Sequence, residues 1–221
     1  MGRAKEIIVK VIPSKIANEF VKKNHYSGKF VNMSNLHFGA FLDNKLHGVM
    51  SYGPPMDKRN VLKLVDTGKE SFNEKWNEML ELNRMAFDDY LPRNSESRCI
   101  AISIKLIKKN APHIKWILSF SDATQCGDGT IYRASGFHLT QINKNQTIYK
   151  LSNGEVVAKR GDSSYDFTGS EALKGFQNRY IYLIDRSCKL NCPIIPFSKI
   201  EEMGASMYKG EKINRIYKEE E

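Results

Sequence analysis

No apolar run in this 221-residue chain is long enough to cross a bilayer as a helix. A membrane span is therefore not expected. The opening MGRAKEIIVKVIPSK is basic but has neither the continuous apolar core nor the small-residue cleavage site of a secretory leader. The expectation is a protein that stays in the cytoplasm. Cysteine is scarce: of Cys99, Cys126, Cys188 and Cys192 only the last two are close, and no second pair completes a zinc site. They read as free thiols in a reducing compartment. Internal repeats and low-complexity tracts are absent, which excludes solenoids and leaves the order of elements to define the fold.

What the chain does have is enough apolar sequence (41%) for one sizeable core, and a net charge of +9 that is unevenly placed. Residues 155–221 balance 11 Lys/Arg against 11 Asp/Glu, so the whole excess falls on residues 1–154. A basic first two-thirds points to a polyanionic partner, because neutralising phosphates releases counterions. Basic surfaces also serve solubility alone, and charge by itself does not separate the two readings.

The element order reads as follows. EIIVKVI is a strand. Pro13-Ser14 opens a helix through KIANEFVKKN, with Ser14 as N-cap and Ile16, Phe20 and Val21 on one face. LHFGAFL and LHGVMSYG form a hairpin around Asp43-Asn44-Lys45. EMLELNRMAF reads as a strand ending near Phe87, because Asp88, Asp89 and Pro92 follow. SESRCIAISIKLIKKN is a helix with Ile100, Ile104 and Ile107 inward, and KWILSFSD is a short buried strand. GTIYRAS forms a short helix closed by Gly136, and FHLTQI with TIYKL reads as a second hairpin across Asn143-Lys144-Asn145. The result is an α/β protein: a catalytic domain over 1–154, then residues 155–221, a polar Gly/Ser-rich linker or mobile loop (155–170) leading to a C-terminal extension packed on the domain. GEKINRIYKEEE is expected to fray.

Tyr132-Arg133-Ala134-Ser135-Gly136-Phe137 resembles the Tyr-x-x-x-Gly-Phe end of the fourth helix of GNAT acyltransferases, and its place after the buried strand KWILSFSD and before a final hairpin strengthens the likeness. Together with NHYSG (24–28), LHFGAFL (36–42), ELNRMAF (81–87), LPRNSESR (91–98) and SFSDATQCGDGTIYRASGF (119–137), the chain resembles the Mom family of phage DNA-modification proteins. That resemblance implies a GNAT-like mixed, mostly antiparallel central sheet flanked by helices. It implies conversion of adenine N6 in DNA to a carbamoylmethyl (acetamido) derivative, protection from host restriction, and work in a bacterial host's cytoplasm. The alternative is a GNAT N-acetyltransferase acting on a protein or small molecule with acetyl-CoA. A noncatalytic DNA-binding protein on a degenerate transferase fold is a third reading.

The GNAT donor loop is glycine-rich so that backbone amides reach a pyrophosphate at a helix start. Here Arg93-Asn94-Ser95-Glu96-Ser97-Arg98 stands in that place. An anion can still bind there, helped by Arg93 and Arg98, but coenzyme A fits less well than a glycine-derived donor such as glycyl-tRNA.

Asp122 falls at the carboxyl end of a buried strand, where open α/β sheets place functional groups, and serves as a base, a metal ligand or a helix N-cap. Tyr132 faces the leaving group as general acid in the GNAT frame, or is a packed aromatic. His25 sits at a helix end, where the dipole alone favours it; the resemblance makes it a candidate base or metal ligand. Tyr26 is a candidate to stack on a flipped base, with Lys22, Lys23 and Lys29 on the DNA backbone. Arg84, Ser95, Ser97 and Arg98 form the expected donor-binding set, Arg84 binding an anion or closing an internal ion pair. His25, Asp122 and Tyr132 together are a candidate iron set. The remaining histidines read as strand and loop surface or edge positions, and Gly127-Asp128-Gly129 as a turn. In the expected chemistry N6 attacks an activated glycyl carbonyl, Asp122 or His25 takes the proton, and Tyr132 protonates the leaving group. The glycine amine then adds to C6, and the former N6 leaves C6 as the carboxamide nitrogen.

Overall fold

The computed structural model describes residues 3–122, 129–145, 148–159, 165–173 and 175–204, and the short strands 207–208 and 211–212. The first half runs β1 (Ile8–Val11), α1 (Ser14–Asn24), β2 (Leu36–Leu42), β3 (Lys45–Gly53), α2 (Lys58–Val61), β4 (Val65–Asp66), α3 (Phe72–Asn77), β5 (Met79–Phe87) and α4 (Ser95–Asn110). The second half runs β6 (Trp116–Asp122), α5 (Thr130–Ala134), β7 (His138–Asn145), β8 (Ile148–Lys150), β9 (Val156–Ala158), β10 (Glu171–Ala172), β11 (Gly175–Leu183), β12 (Lys189–Leu190) and α6 (Ser198–Glu202). Among the described residues no helix is long and apolar enough to cross a membrane.

Seven strands form one sheet in the order β1-β2-β3-β5-β6-β11-β7. Its pairings are antiparallel except β5 with β6, which α4 joins as the crossover that a parallel pair requires. The β2–β3 hairpin turns on Asp43 (φ 50°) and Asn44 (φ 61°), two residue types that tolerate the left-handed region a tight hairpin needs. Helix α4 covers one face: Cys99, Ile100, Ile104 and Ile107 pack on Phe38, Met50, Tyr52, Leu82 and Ile117. Burying a side chain such as Ile100 contributes about 2–3 kcal/mol. The Tyr52 hydroxyl meets Ser103 Oγ of this helix at 2.6 Å, and Ser103 donates to the Ile100 carbonyl, so these two buried hydroxyls are paired. Helix α1 covers the other face through Ala17 and Val21, against Ile12, Val49 and Ala86. A second cluster on that face joins Trp116, Leu118 and Ile181 to Val61, Leu62 and Val65 of the β3–β5 excursion.

Several expectations need correction. The N-cap of α1 is Pro13, with no side-chain cap, and Ser14 is already helical. Ile16 is exposed and Ala17 takes the inward place, because the buried stripe runs 17–21. The expected hairpin of FHLTQI with TIYKL does not form: β7 pairs with β11, while β8 pairs with β9 and β10 in a separate small sheet. Isolated apolar runs name strands but not their partners. His37 and His47 are buried, His37 Nδ1 lying 2.8 Å from Ser51 Oγ and His47 Nδ1 2.9 Å from Asp88 Oδ2. The C-terminal third, expected to pack on the domain, supplies β11 to the interior of the main sheet. Within the expected linker, β9 is a strand and residues 160–164 lie outside the described residues.

Candidate active site

The site begins with a break in the sheet. Strands β5 and β6 pair only from Met79–Leu82 to Trp116–Ser119; beyond that β5 follows β3 and β6 follows β11. The cause lies in β5, where Tyr52 faces Leu82 but Ser51 faces Arg84, leaving Asn83 as an extra residue. A bulge of this kind bends its strand and re-aims the side chains beyond it. Asn83 is pinned: Ser34 Oγ donates to its Oδ1 at 3.0 Å, and its Nδ2 donates to the Pro54 carbonyl at 3.4 Å.

On the α1 face the bulge gathers Glu81 and Arg84. Glu81 lies between Leu80 and Leu82, which pack on the α4 side, so its own side chain points to the α1 side. Without the extra Asn83, Arg84 would point away from it. Burial pushes the Glu81 carboxyl up to about 7, against the opposing pull of the Asn83 side chain and the Arg84 charge. Arg84 Nε donates to the Lys29 carbonyl at 3.0 Å and Nη1 to the Asn83 carbonyl at 2.9 Å, which ties the segment after α1 to the sheet.

His25 caps α1 beside this pair, and burial together with Arg84 lowers its imidazole to about 4. The ring is therefore neutral at physiological pH. Ser27 N–H donates to Nδ1 at 3.1 Å, so Nε2 carries the proton and offers a donor, not a lone pair. Asp122 is the last residue of β6, and strand alternation from Leu118 through Phe120 places it on this same face.

On the α4 face stands Tyr132. Its ring is stacked on Tyr180 at 4.2 Å, and its hydroxyl accepts from Ser119 Oγ at 2.9 Å and donates toward the Phe120 carbonyl at 3.5 Å. Ser119 is the last β6 residue paired with β5, so this hydroxyl sits where the strands part. Gly129 precedes α5 with φ +73°, and a Cβ there would strike the Tyr180 hydroxyl.

At the start of α4 a cleft of about 240 Å³ is lined by Pro92, Arg93, Glu96, Ser97, Thr130 and Ile131, among others. Asn94, left-handed at φ 69°, turns the chain into the helix. Of the expected donor set, Ser97 lines this cleft, Arg84 lies on the α1 face bonded to the Lys29 carbonyl, and Ser95 is fully buried with its hydroxyl donating to the Pro92 carbonyl. Arg98 turns toward the N-terminal segment, Nη2 donating to the Lys5 carbonyl at 3.4 Å. Glu96 adds a carboxylate to a site that would otherwise attract anions.

Lys22 and Lys23 occupy the last turn of α1, Lys22 Nζ lying 5.1 Å from the Phe30 ring centre. Lys29 and Tyr26 are exposed nearby, the Tyr26 ring 4.2 Å from that of His25. The candidate iron set is not gathered: the Tyr132 hydroxyl belongs to the α4 face, His25 and Asp122 to the other. Among the described residues no group of three His, Cys, Asp or Glu side chains assembles to hold a metal. Gly127 and Asp128 of the GDG turn, and Cys126, lie outside the described residues. Glu81 was missed in the sequence; the available signal was one carboxylate between two leucines of a strand.

The chain matches the model of the Mom protein family over residues 6–199. It is 34% identical over 185 residues to the methylcarbamoylase Mom of Escherichia phage Mu, covering 81% of this chain and 68% of that protein. Among solved structures it resembles a GNAT family acetyltransferase from Elizabethkingia anophelis with acetyl-CoA bound (TM-score 0.51, 15% identity, 80% of this chain and 97% of that one). It also resembles an agmatine N-acetyltransferase in its apo form (TM-score 0.50, 11% identity, 80% and 99% covered). At these identities the structural likeness establishes the GNAT-like fold and nothing finer.

Proposed function

Because this chain belongs to the Mom protein family, we propose that it is a DNA-modifying transferase that converts adenine N6 to a carbamoylmethyl derivative and so shields the DNA from restriction. The observation that carries the reading is the β5–β6 opening, with the Glu81 carboxyl, pushed up to about 7, on one side and the Tyr132 hydroxyl on the other. A carboxylate near neutrality is suited to take a proton from a weak nitrogen nucleophile.

DNA approaches the α1 face, where Lys22, Lys23 and Lys29 meet phosphates and Tyr26 stacks on a base drawn out of the helix. N6 attacks the carbonyl of a glycine-derived donor in the opening, and its proton passes to Glu81. His25, holding its proton on Nε2, donates a hydrogen bond instead of acting as the base expected from sequence. Asp122 adds a second carboxylate on the acceptor side. Tyr132 gives its proton to the departing carrier, and the amine of the N6-glycyl product then adds to C6 while the C6–N6 bond breaks, so that the former N6 becomes the carboxamide nitrogen of the carbamoylmethyl form. The α4 cleft holds part of that carrier; the lack of a glycine loop, which would let backbone amides reach a pyrophosphate, favours a carrier such as glycyl-tRNA over coenzyme A.

The test is nucleoside mass spectrometry of plasmid DNA from expressing cells fed isotopically labelled glycine. The expected result is an adenosine derivative heavier by a carbamoylmethyl group and carrying the label. Unmodified adenosine from well-expressing cells overturns the reading in favour of acetyl transfer to another substrate; an unlabelled derivative overturns the glycine donor alone.

A further inference from the structure

Along β6 the residues on the α1 side are Trp116, Leu118 and Phe120, and those on the α4 side change from Ile117 to Ser119 and Ser121 as the strand nears the opening. Both serines are buried, at strand positions where packing alone favours a β-branched carbon side chain. Each hydroxyl meets a tyrosine. Ser119 Oγ lies 2.9 Å from the Tyr132 hydroxyl, and Ser121 Oγ lies 3.2 Å from that of Tyr180. The two rings stack 4.2 Å apart and 11° from parallel, so Tyr180 holds the Tyr132 ring while Ser119 holds its oxygen. Ser119 has one proton and two acceptors. Besides Tyr132, its Oγ reaches the carbonyl of Leu82 at 3.4 Å, and Leu82 is its own partner in the last pair of the β5–β6 ladder. The longer contact is the weaker one. While Tyr132 keeps its proton, two arrangements satisfy the group: Ser119 donates to Tyr132, or it turns to Leu82 and accepts from Tyr132. A phenolate leaves one. An oxygen without a proton only accepts, and Ser119 then points its own proton at it.

We propose that Ser119 is a positioning residue acting through Tyr132: its hydroxyl stabilises the charge that forms on the Tyr132 oxygen as that group protonates the departing carrier. The assignment rests on the transfer reaction proposed above. In that step the bond between the glycyl carbonyl carbon and the carrier breaks, its electron pair stays with the carrier, and the proton leaves the Tyr132 oxygen for that atom. The negative charge is left on the phenol oxygen. Ser119 gives up no proton; it only turns about its Cβ–Oγ bond. A hydrogen bond to a charged oxygen is stronger than one to a neutral hydroxyl, and this donor is buried and already aimed, so nothing reorganises as the charge appears. Because the bond strengthens during the step, it favours the step as well as the fold. Ser121 holds the neighbouring ring and not the reacting oxygen, so it has no part in this.

The test is a double-mutant cycle on the full chain. The initial rate at which carbamoylmethyl adenosine accumulates in plasmid DNA is compared, at equal soluble levels, for the parent, Ser119→Ala, Tyr132→Phe and the double variant. Ser119→Ala alone is expected to slow modification about tenfold. In the Tyr132→Phe background it is expected to slow it no further, because no phenol oxygen is left to hold. Ser119→Cys keeps the shape with a weaker donor; it is expected to fall between Ser and Ala, and serves if Ala does not fold. In protein carrying tyrosine labelled at Cζ, the Tyr132 resonance, identified by its loss in Tyr132→Phe, is expected to move in Ser119→Ala. Equal slowing in both backgrounds would show that Ser119 acts on the fold alone, and overturns the assignment. So does an unchanged rate in Ser119→Ala, or an unmoved Tyr132 resonance. A parent that leaves adenosine unmodified takes down the functional reading and this assignment with it, whereas a modifying parent without the coupling takes down the assignment alone, so the two failures are distinguishable.

Discussion

Replacing Glu81 by Gln tests the electrostatics of the opening without reference to any substrate. An ordinary glutamate at 4.5 is pushed by burial to about 7 in the folded chain. Between these values the folded state keeps a proton that the unfolded state has lost, so stability falls as pH rises through the interval and is lower by about 3 kcal/mol above pH 7. His25 works in the opposite sense. Its imidazole is lowered from 6.5 to about 4, so the unfolded chain binds the extra proton and stability rises with pH over that range by a similar amount. In the parent the two slopes largely cancel, and a flat profile would hide both. Glu81→Gln removes only the falling one. Chemical denaturation of parent and variant from below pH 4.5 to above pH 7 should therefore give a difference that grows in favour of Gln by about 3 kcal/mol. A difference independent of pH would refute the burial argument. The same variant should lower adenine modification by about 10²–10⁴-fold, the usual contribution of a positioned base.

Tyr132→Phe should cost about 1 kcal/mol of stability through the lost bond to Ser119, yet reduce modification about a hundredfold, measured on plasmid nucleosides. Gly129→Ala should destabilise by about 2–4 kcal/mol in thermal unfolding, because alanine is strained at φ +73° and its Cβ meets the Tyr180 hydroxyl. Reversing Lys22 and Lys23 to Glu should weaken DNA binding and reduce the slope of log affinity against log salt by about 2, measured by fluorescence anisotropy.

Much of the sheet was legible in the sequence because its strands and the α4 helix carry strong periodicities: Ile100, Ile104 and Ile107 are inward as their spacing requires. Partnership was less legible. FHLTQI and TIYKL are adjacent and both strand-like, yet β7 pairs with β11 from thirty-odd residues later, about as many as separate Asn145 from Gly175. Asp122 stood out by its position at the end of β6, and Tyr132 by its place on the short helix that follows. Glu81 did not, because its role depends on the Asn83 bulge, and a bulge is set by the register against β3, which no single strand reveals. His25 was visible as a residue, but its protonation state follows from burial, Arg84 and Ser27.

The most direct test of the account compares nucleosides of plasmid DNA from cells expressing the parent, Glu81→Gln, Tyr132→Phe and Asp122→Ala chains at equal soluble levels. A carbamoylmethyl adenosine abundant with the parent and strongly reduced when either side of the β5–β6 opening is altered is the predicted result. Its absence from the parent, or full retention in both Glu81→Gln and Tyr132→Phe, would contradict the claim that this opening is where adenine is modified.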